Sequence, residues 1–179
     1  MMAKRSRSNK RTDTGWLDHL VNVEDRIHRQ QEWLKCHGQP LVTFTVKIPN
    51  NIDNNALSHT IFDQGIDALY NACSERGWTV TTRQILYKPT GPEAIFVIDT
   101  PSASLLKAAM IKIEHSHKLG QLMDLNVTDT DGHTISRAGC QMPRRKCLVC
   151  GRDKDIFDHS HHHGLKEHIS KVKEIASSV

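Results

Sequence analysis

The chain has 179 residues, 37% of them hydrophobic and 25% charged, with a formal net charge of +4. That length suits one compact domain with a real core and small extensions. No apolar run approaches the eighteen or so residues of a membrane helix, and the basic N-terminus lacks the apolar stretch of a secretory signal. A cytoplasmic protein is therefore expected.

The charge is unevenly spread. The opening "MMAKRSRSNKR" carries Lys4, Arg5, Arg7, Lys10 and Arg11 and no acid. Without it the rest of the chain is close to neutral, at about −1. Residues 1–14 read as a solvated, disordered basic tail. The five cysteines are an odd number, which argues against a disulfide framework.

In chain order, "WLDHLVNVEDRIHRQQEWLKCHG" reads as one or two helices stopped by Gly38 and Pro40. "LVTFTVKIP" is β-branched and reads as a strand. "NNALSHTIFDQGIDALYNACSERG" has Leu57, Ile61, Phe62, Ile66, Leu69 and Tyr70 at helical spacing. "WTVTTRQILYK" is a second strand, "PTGP" a turn and "EAIFVIDT" a third strand. "PSASLLKAAMIKIEHS" opens with Pro101 and Ser102 and continues as a helix. "QLMDLNV" is a fourth strand, "TDTDG" a turn and "HTISRA" a short return strand. The C-terminal "GLKEHISKVKEI" is a last helix.

The expected fold is α+β: a ferredoxin-like βαββαβ core with an N-terminal helix and a C-terminal Cys/His-rich extension ending in a helix. The organisation expected is a core over 15–139, with residues 140–179 packed on it as part of one domain.

Three groups of residues could carry chemistry. Cys147 and Cys150 form a Cys-x2-Cys followed by His159, His161, His162 and His163. That is a donor set for structural Zn²⁺, or else two thiols beside a solvated histidine tract. Pro143, Arg144, Arg145 and Lys146 precede it, with Arg137 nearby; Arg forks suit phosphates, although a solvated basic face looks the same. In "QLMDLNV" the strand period puts Asp124 and Asn126 on one face. Two oxygen-bearing side chains so placed can grip a Mg²⁺ that also binds polyphosphate, or simply form the wet side of a strand. Glu114, His115 and His117 end a predicted helix, where imidazolium is favourable and where a base or phosphate contacts could sit.

The stretches 26–49, 114–127 ("EHSHKLGQLMDLNV") and 136–150 ("SRAGCQMPRRKCLVC") resemble the apo-citrate lyase phosphoribosyl-dephospho-CoA transferase family. The resemblance spans about residues 17–168. It implies transfer of phosphoribosyl-dephospho-CoA from triphosphoribosyl-dephospho-CoA to a serine of the apo acyl-carrier subunit of citrate lyase, with loss of pyrophosphate. Glu114, His115, His117, Leu119, Gly120 and Asp124 match the family pattern, as do Arg26, Arg29, Gln30, Pro49, Arg137, Arg144, Arg145, Cys147 and Cys150. His163 falls where the family often has His.

The sequence departs from that pattern at Asn126, where Asp is usual. It also departs at Asn50 and Asp53, where Gly and Lys are expected, and at Phe157 or Asp158, where a third Cys often stands. The roles implied are Asp124 as principal Mg²⁺ ligand aided by Asn126, and Glu114 or His115 as the base for the serine proton. Arg26, His117, Arg137, Arg144 and Arg145 would hold the donor, and Gly120 would admit close backbone approach. Cys147, Cys150, His159 and His163 form the candidate Zn²⁺ set. Two other readings remain at this point: a nucleic-acid-binding module with a Cys/His knuckle, and a catalytically inactive member that only binds the carrier.

Overall fold

The computed structural model describes residues 13–48, 55–153 and 163–177. One continuous helix, α1 (Asp13–His37), opens it. There follow β1 (Leu41–Val46), α2 (Asn55–Ser74), β2 (Thr79–Lys88), β3 (Gly91–Asp99), α3 (Ala103–Ser116), β4 (Met123–Thr128) and α4 (Leu165–Ala176). The basic tail expected over 1–14 lies, up to residue 12, outside the described residues, as do Pro49, Asn50, Asp53 and 154–162.

The helices stop where sequence chemistry says they should. Gly38 and Gly77 take positive φ, at 60° and 68°, which costs a glycine little and ends α1 and α2. Ser102 caps α3 by accepting the Ser104 N–H at 3.2 Å, satisfying one of the orphan donors of the first turn.

The four strands form one sheet in the order β2-β3-β1-β4. Each neighbouring pair is antiparallel. Period-two alternation divides its side chains between two faces. On one, Val42, Phe44, Ala94, Phe96, Ile98, Met123, Leu125 and Val127 meet α2 and α3 in the main core, which also takes in Val172 of α4. Phe44 and Phe62 stack there with centroids 4.9 Å apart. A fully buried side chain of this size contributes about 2–3 kcal/mol. On the other face, Leu41, Ile95 and Val97 are covered by Trp33 and Leu34 of α1.

β4 is an edge strand, and its outward backbone groups are capped. Leu125 N–H donates to Glu114 Oε1 at 2.8 Å, and Leu125 C=O accepts from Lys107 Nζ at 3.0 Å. Met123 C=O accepts from Lys47 Nζ at 3.0 Å, and Val127 C=O from the Ile135 N–H at 2.8 Å. The short return strand expected over 133–138 is reduced to a single bridge between Thr128 and Thr134. Arg137 then caps a 3-10 turn at Ala138–Cys140, which ends the pairing.

Candidate active site

The sheet face under α1 carries a row of polar side chains across three strands. Thr45 of β1 is registered with Glu93 of β3 on one side and with Asp124 of β4 on the other. Thr43 is registered with Asn126. Asp124 and Asn126 therefore share a face, and Asn126 Nδ2 donates to Asp124 Oδ2 at 3.1 Å.

Cations crowd both carboxylates of the row. Asp124 Oδ1 lies 2.5 Å from Arg145 Nη2 and 3.5 Å from Lys47 Nζ. Burial alone would raise its carboxyl. The charges of Lys47 and Arg145, with the hydrogen bonds from Arg145 and Asn126, outweigh burial and hold it below the ordinary aspartate value. Glu93, only 4% exposed, meets Arg29 at 2.8 Å, Lys88 at 3.0 Å and Arg26 at 3.1 Å. There too burial is overcome by hydrogen bonds from Arg29 and Lys88 and by the charges of Arg26 and Lys88, so the carboxyl is lowered. Arg26 and Arg29 thus lie on the same face as Asp124, both engaged with Glu93.

Glu114, one of the two residues expected as base with His115, has its carboxylate engaged by neighbours. Its carboxylate is buried against the edge of β4, where Oε1 accepts from the Leu125 N–H and from Arg145 at 3.0 Å. Oε2 accepts from Arg137. With its lone pairs so engaged, it acts here as an anchor for two arginines. Arg145 reaches both Glu114 and Asp124 and so ties the edge of β4 to the polar row. Lys107 is 3% exposed beneath them. Burial lowers its ammonium, Glu114 offsets part of that, and Arg145 and Arg137 lower it further.

The remaining candidates divide. His117 Nδ1 accepts the Leu119 N–H at 3.1 Å. The neutral ring then carries its proton on Nε2, a donor suited to phosphate. His115 is exposed and lines a separate cavity beside α3, with Arg137. Arg144 is exposed. Gly120 is buried, and a Cβ there would meet the Glu114 and Ile113 carbonyl oxygens at 2.5 Å. The close approach that requires glycine in the structure is therefore to the end of α3.

Cys147, Cys150 and His163 bring their donor atoms within 4.8 Å of one another. Cys147 N–H donates to Arg152 C=O at 2.7 Å, and Gly151 N–H to Cys147 C=O at 2.9 Å, closing a tight knuckle. His163 Nδ1 lies 3.1 Å from Glu167 Oε2, leaving Nε2 for a ligand. A carboxylate behind a histidine is the common support of a metal-binding imidazole. His159 lies outside the described residues. The thiolate–imidazole donor chemistry suits Zn²⁺.

Comparison with known proteins decides the family. Residues 17–179 match the family described as apo-citrate lyase phosphoribosyl-dephospho-CoA transferase. A probable apo-citrate lyase phosphoribosyl-dephospho-CoA transferase of Vibrio cholerae serotype O1 (strain M66-2) is 49% identical over 156 residues, covering 87% of this chain and 88% of that protein. The apo-citrate lyase phosphoribosyl-dephospho-CoA transferase of Escherichia coli O1:K1 / APEC is 34% identical over 160 residues, covering 89% and 87%. The chain belongs to this family.

Within this member of the transferase family, three cations of the site escape a reading of the sequence: Lys47, Lys88 and Lys107. A lysine normally reads as solvent-facing. One signal was available for Lys107, which lies seven residues before Glu114 and shares its helix face among Leu106, Met110 and Ile113. The two phenylalanines of the sheet, Phe44 and Phe96, are fully buried. They offer no stacking platform for nucleic acid. Among the described residues no helix is long and apolar enough to cross a membrane.

Proposed function

We propose that this protein transfers the phosphoribosyl-dephospho-CoA group from triphosphoribosyl-dephospho-CoA to a serine of the apo acyl-carrier subunit of citrate lyase, in the cytoplasm, on a ferredoxin-like core. The reading rests on family membership. The site observation that carries it is the cationic setting of Asp124, between Lys47 and Arg145. Such a setting attracts a polyphosphate, whose own negative charge would offset the excess of cations.

The serine oxygen attacks the phosphorus nearest the transferred ribose. A new O–P bond forms as the bond to the next phosphate breaks, and pyrophosphate leaves. Arg145, Lys47 and His117 hold the phosphates in line, with Arg144 contributing charge from the surface. Glu114 positions Arg137 and Arg145. His115, which shares its cavity with Arg137, is the candidate base for the serine proton, since Glu114 already accepts three hydrogen bonds and Asp124 is paired with Arg145 and Lys47.

The donor set of Asp124 and Asn126 suits Mg²⁺, which is usually held by one or two carboxylates together with substrate phosphates. When bound, Mg²⁺ neutralises phosphate charge at the group transferred. Lys47 and Arg145, both paired with Asp124, would weaken its hold on the ion until a polyphosphate draws them away. Cys147, Cys150 and His163 would hold Zn²⁺, which would serve a structural role by tying the knuckle to the start of α4.

The test is the intact mass of apo carrier subunit incubated with this protein, triphosphoribosyl-dephospho-CoA and Mg²⁺. A gain of one phosphoribosyl-dephospho-CoA is expected. An unchanged mass beside an active relative would remove the proposal, and carrier capture without a mass gain would mark a binding-only protein.

A further inference from the structure

On the far side of α3 from β4 lies a cavity of about 400 Å³. It falls in the range of pockets that bury a small organic ligand. Trp78, Leu105, Ala108, Met142 and Pro143 give it apolar walls. Its charged lining is all of one sign: Arg76, Lys112 and Arg137, with His115 beside them and no acid. Leu105 is 54% exposed at its mouth, an apolar side chain left in water unless something covers it.

Two features make this a built cavity. The Arg76 guanidinium lies over the Trp78 ring, 5.5 Å from its centroid, and forms with it a flat cation–π pair. Arg137 is fixed from two sides, donating to Pro143 C=O at 2.9 Å and to Glu114. One guanidinium thus belongs both to the cavity wall and to the Glu114 cluster that also holds Arg145.

An apolar, flat-walled, acid-free cationic cavity fits a ligand that is aromatic at one end and anionic at the other. We propose that it holds the dephospho-CoA portion of the donor. The adenine lies against the Trp78–Arg76 pair, the diphosphate meets Lys112 and Arg137, and the triphosphoribosyl arm runs past Arg137 toward Arg145. The assignment rests on the function proposed above and adds where that donor is recognised. Bases stack on aromatic and guanidinium planes alike, and the rim supplies the charge that a neutral nucleoside would not need.

The probe is dephospho-CoA itself, titrated into the full-length protein, into Ala108→Trp, which fills the cavity, and into Lys112→Glu, which reverses its rim. Lys112 is exposed, so its substitution leaves the core alone, and a melting curve for each variant verifies the fold. Both changes should weaken dephospho-CoA roughly tenfold or more, Ala108→Trp by displacing the base from its stack and Lys112→Glu by turning an attractive charge on the diphosphate into a repulsive one, and both should raise the donor KM. Wild-type affinity in both folded variants overturns the assignment, as does failure of the wild type to bind dephospho-CoA. Weaker capture of the carrier subunit with dephospho-CoA binding intact also overturns it, giving the cavity to the protein substrate. Cavity-dependent binding of dephospho-CoA by a wild type that modifies no carrier would sustain the cavity and remove the transferase reading instead.

Discussion

The Glu114 carboxylate accepts the backbone N–H of Leu125 at 2.8 Å, joining the end of α3 to the outer edge of β4. The same carboxylate neutralises Arg137 and Arg145. Glu114→Ala should therefore cost stability as well as activity, by roughly 3 kcal/mol, because it strands buried cations and an unpaired amide. At this chain length that is a fall in Tm of about 6–12 °C. Glu114→Gln, which keeps an acceptor for Leu125, should lose less. A wild-type melting curve for Glu114→Ala would instead return Glu114 to the role of a free base.

Asp124→Asn removes the carboxylate that pairs with both Lys47 and Arg145. Transfer should fall roughly 100-fold or more, the usual effect of deleting one preorganised electrostatic group, while the chain still folds. Steady-state transfer rates measured by carrier mass, beside a circular dichroism spectrum, check this. Undiminished transfer would sink the assignment of Asp124.

Asn126→Asp places a second carboxylate beside Asp124. Because Asn126 and Asp124 share a face and touch, the change should lower the Mg²⁺ concentration for half-maximal transfer. It should also tighten Mn²⁺, followed by its paramagnetic resonance signal, in the donor-free protein. An unmoved Mg²⁺ requirement would place the ion elsewhere.

The carboxyls of Asp124 and Glu93 are both held below their ordinary values. A lowered folded pKa contributes stability that is complete above the unfolded value, about 4 for these groups, and is lost as pH falls through the folded one. The urea midpoint should stay level from about pH 7 to 5 and drop below about pH 4. Lys107 works in the opposite sense. Its lowered pKa makes the charged form a cost, relieved as pH rises through the folded value. In Asp124→Asn the acid limb should flatten, and an identical limb would exclude Asp124 as a contributor.

Zinc analysis of protein purified without chelator should find about one ion per chain, lost in Cys147→Ser together with several degrees of Tm. Metal-free protein with an unchanged Tm would leave the knuckle as a hydrogen-bonded turn.

The sequence was most informative where period and chemistry coincide. The four strands and α2 and α3 follow from apolar spacing, and the alternation of "MDLNV" correctly put Asp124 and Asn126 on one face. The "HTISRA" stretch failed as a strand because Ile135 is its one large apolar residue, and a single bridge leaves too little to hold a ladder. Motif reading found Glu114, Arg137 and Arg145 but could not see that they bind each other, since pairing across 23 and 31 residues is a property of the folded sheet edge. That engagement is what converts a presumed base into an anchor. Lys47 and Lys88 were missed because a lysine's reach to a distant carbonyl or carboxylate leaves no local trace, whereas Lys107 was marked by its place on the apolar face of α3.

The capped edge of β4 has a consequence for assembly. An unpaired strand edge is a template on which a second chain can add a strand. Here two charged side chains of α3, Glu114 and Lys107, occupy the places a neighbouring backbone would take at Leu125. Replacing either with a short apolar residue removes a gatekeeper against self-association. Variants made to probe catalysis at these positions should shift toward dimers and larger particles in light scattering, so part of their lost activity will reflect the state of the chain rather than its chemistry.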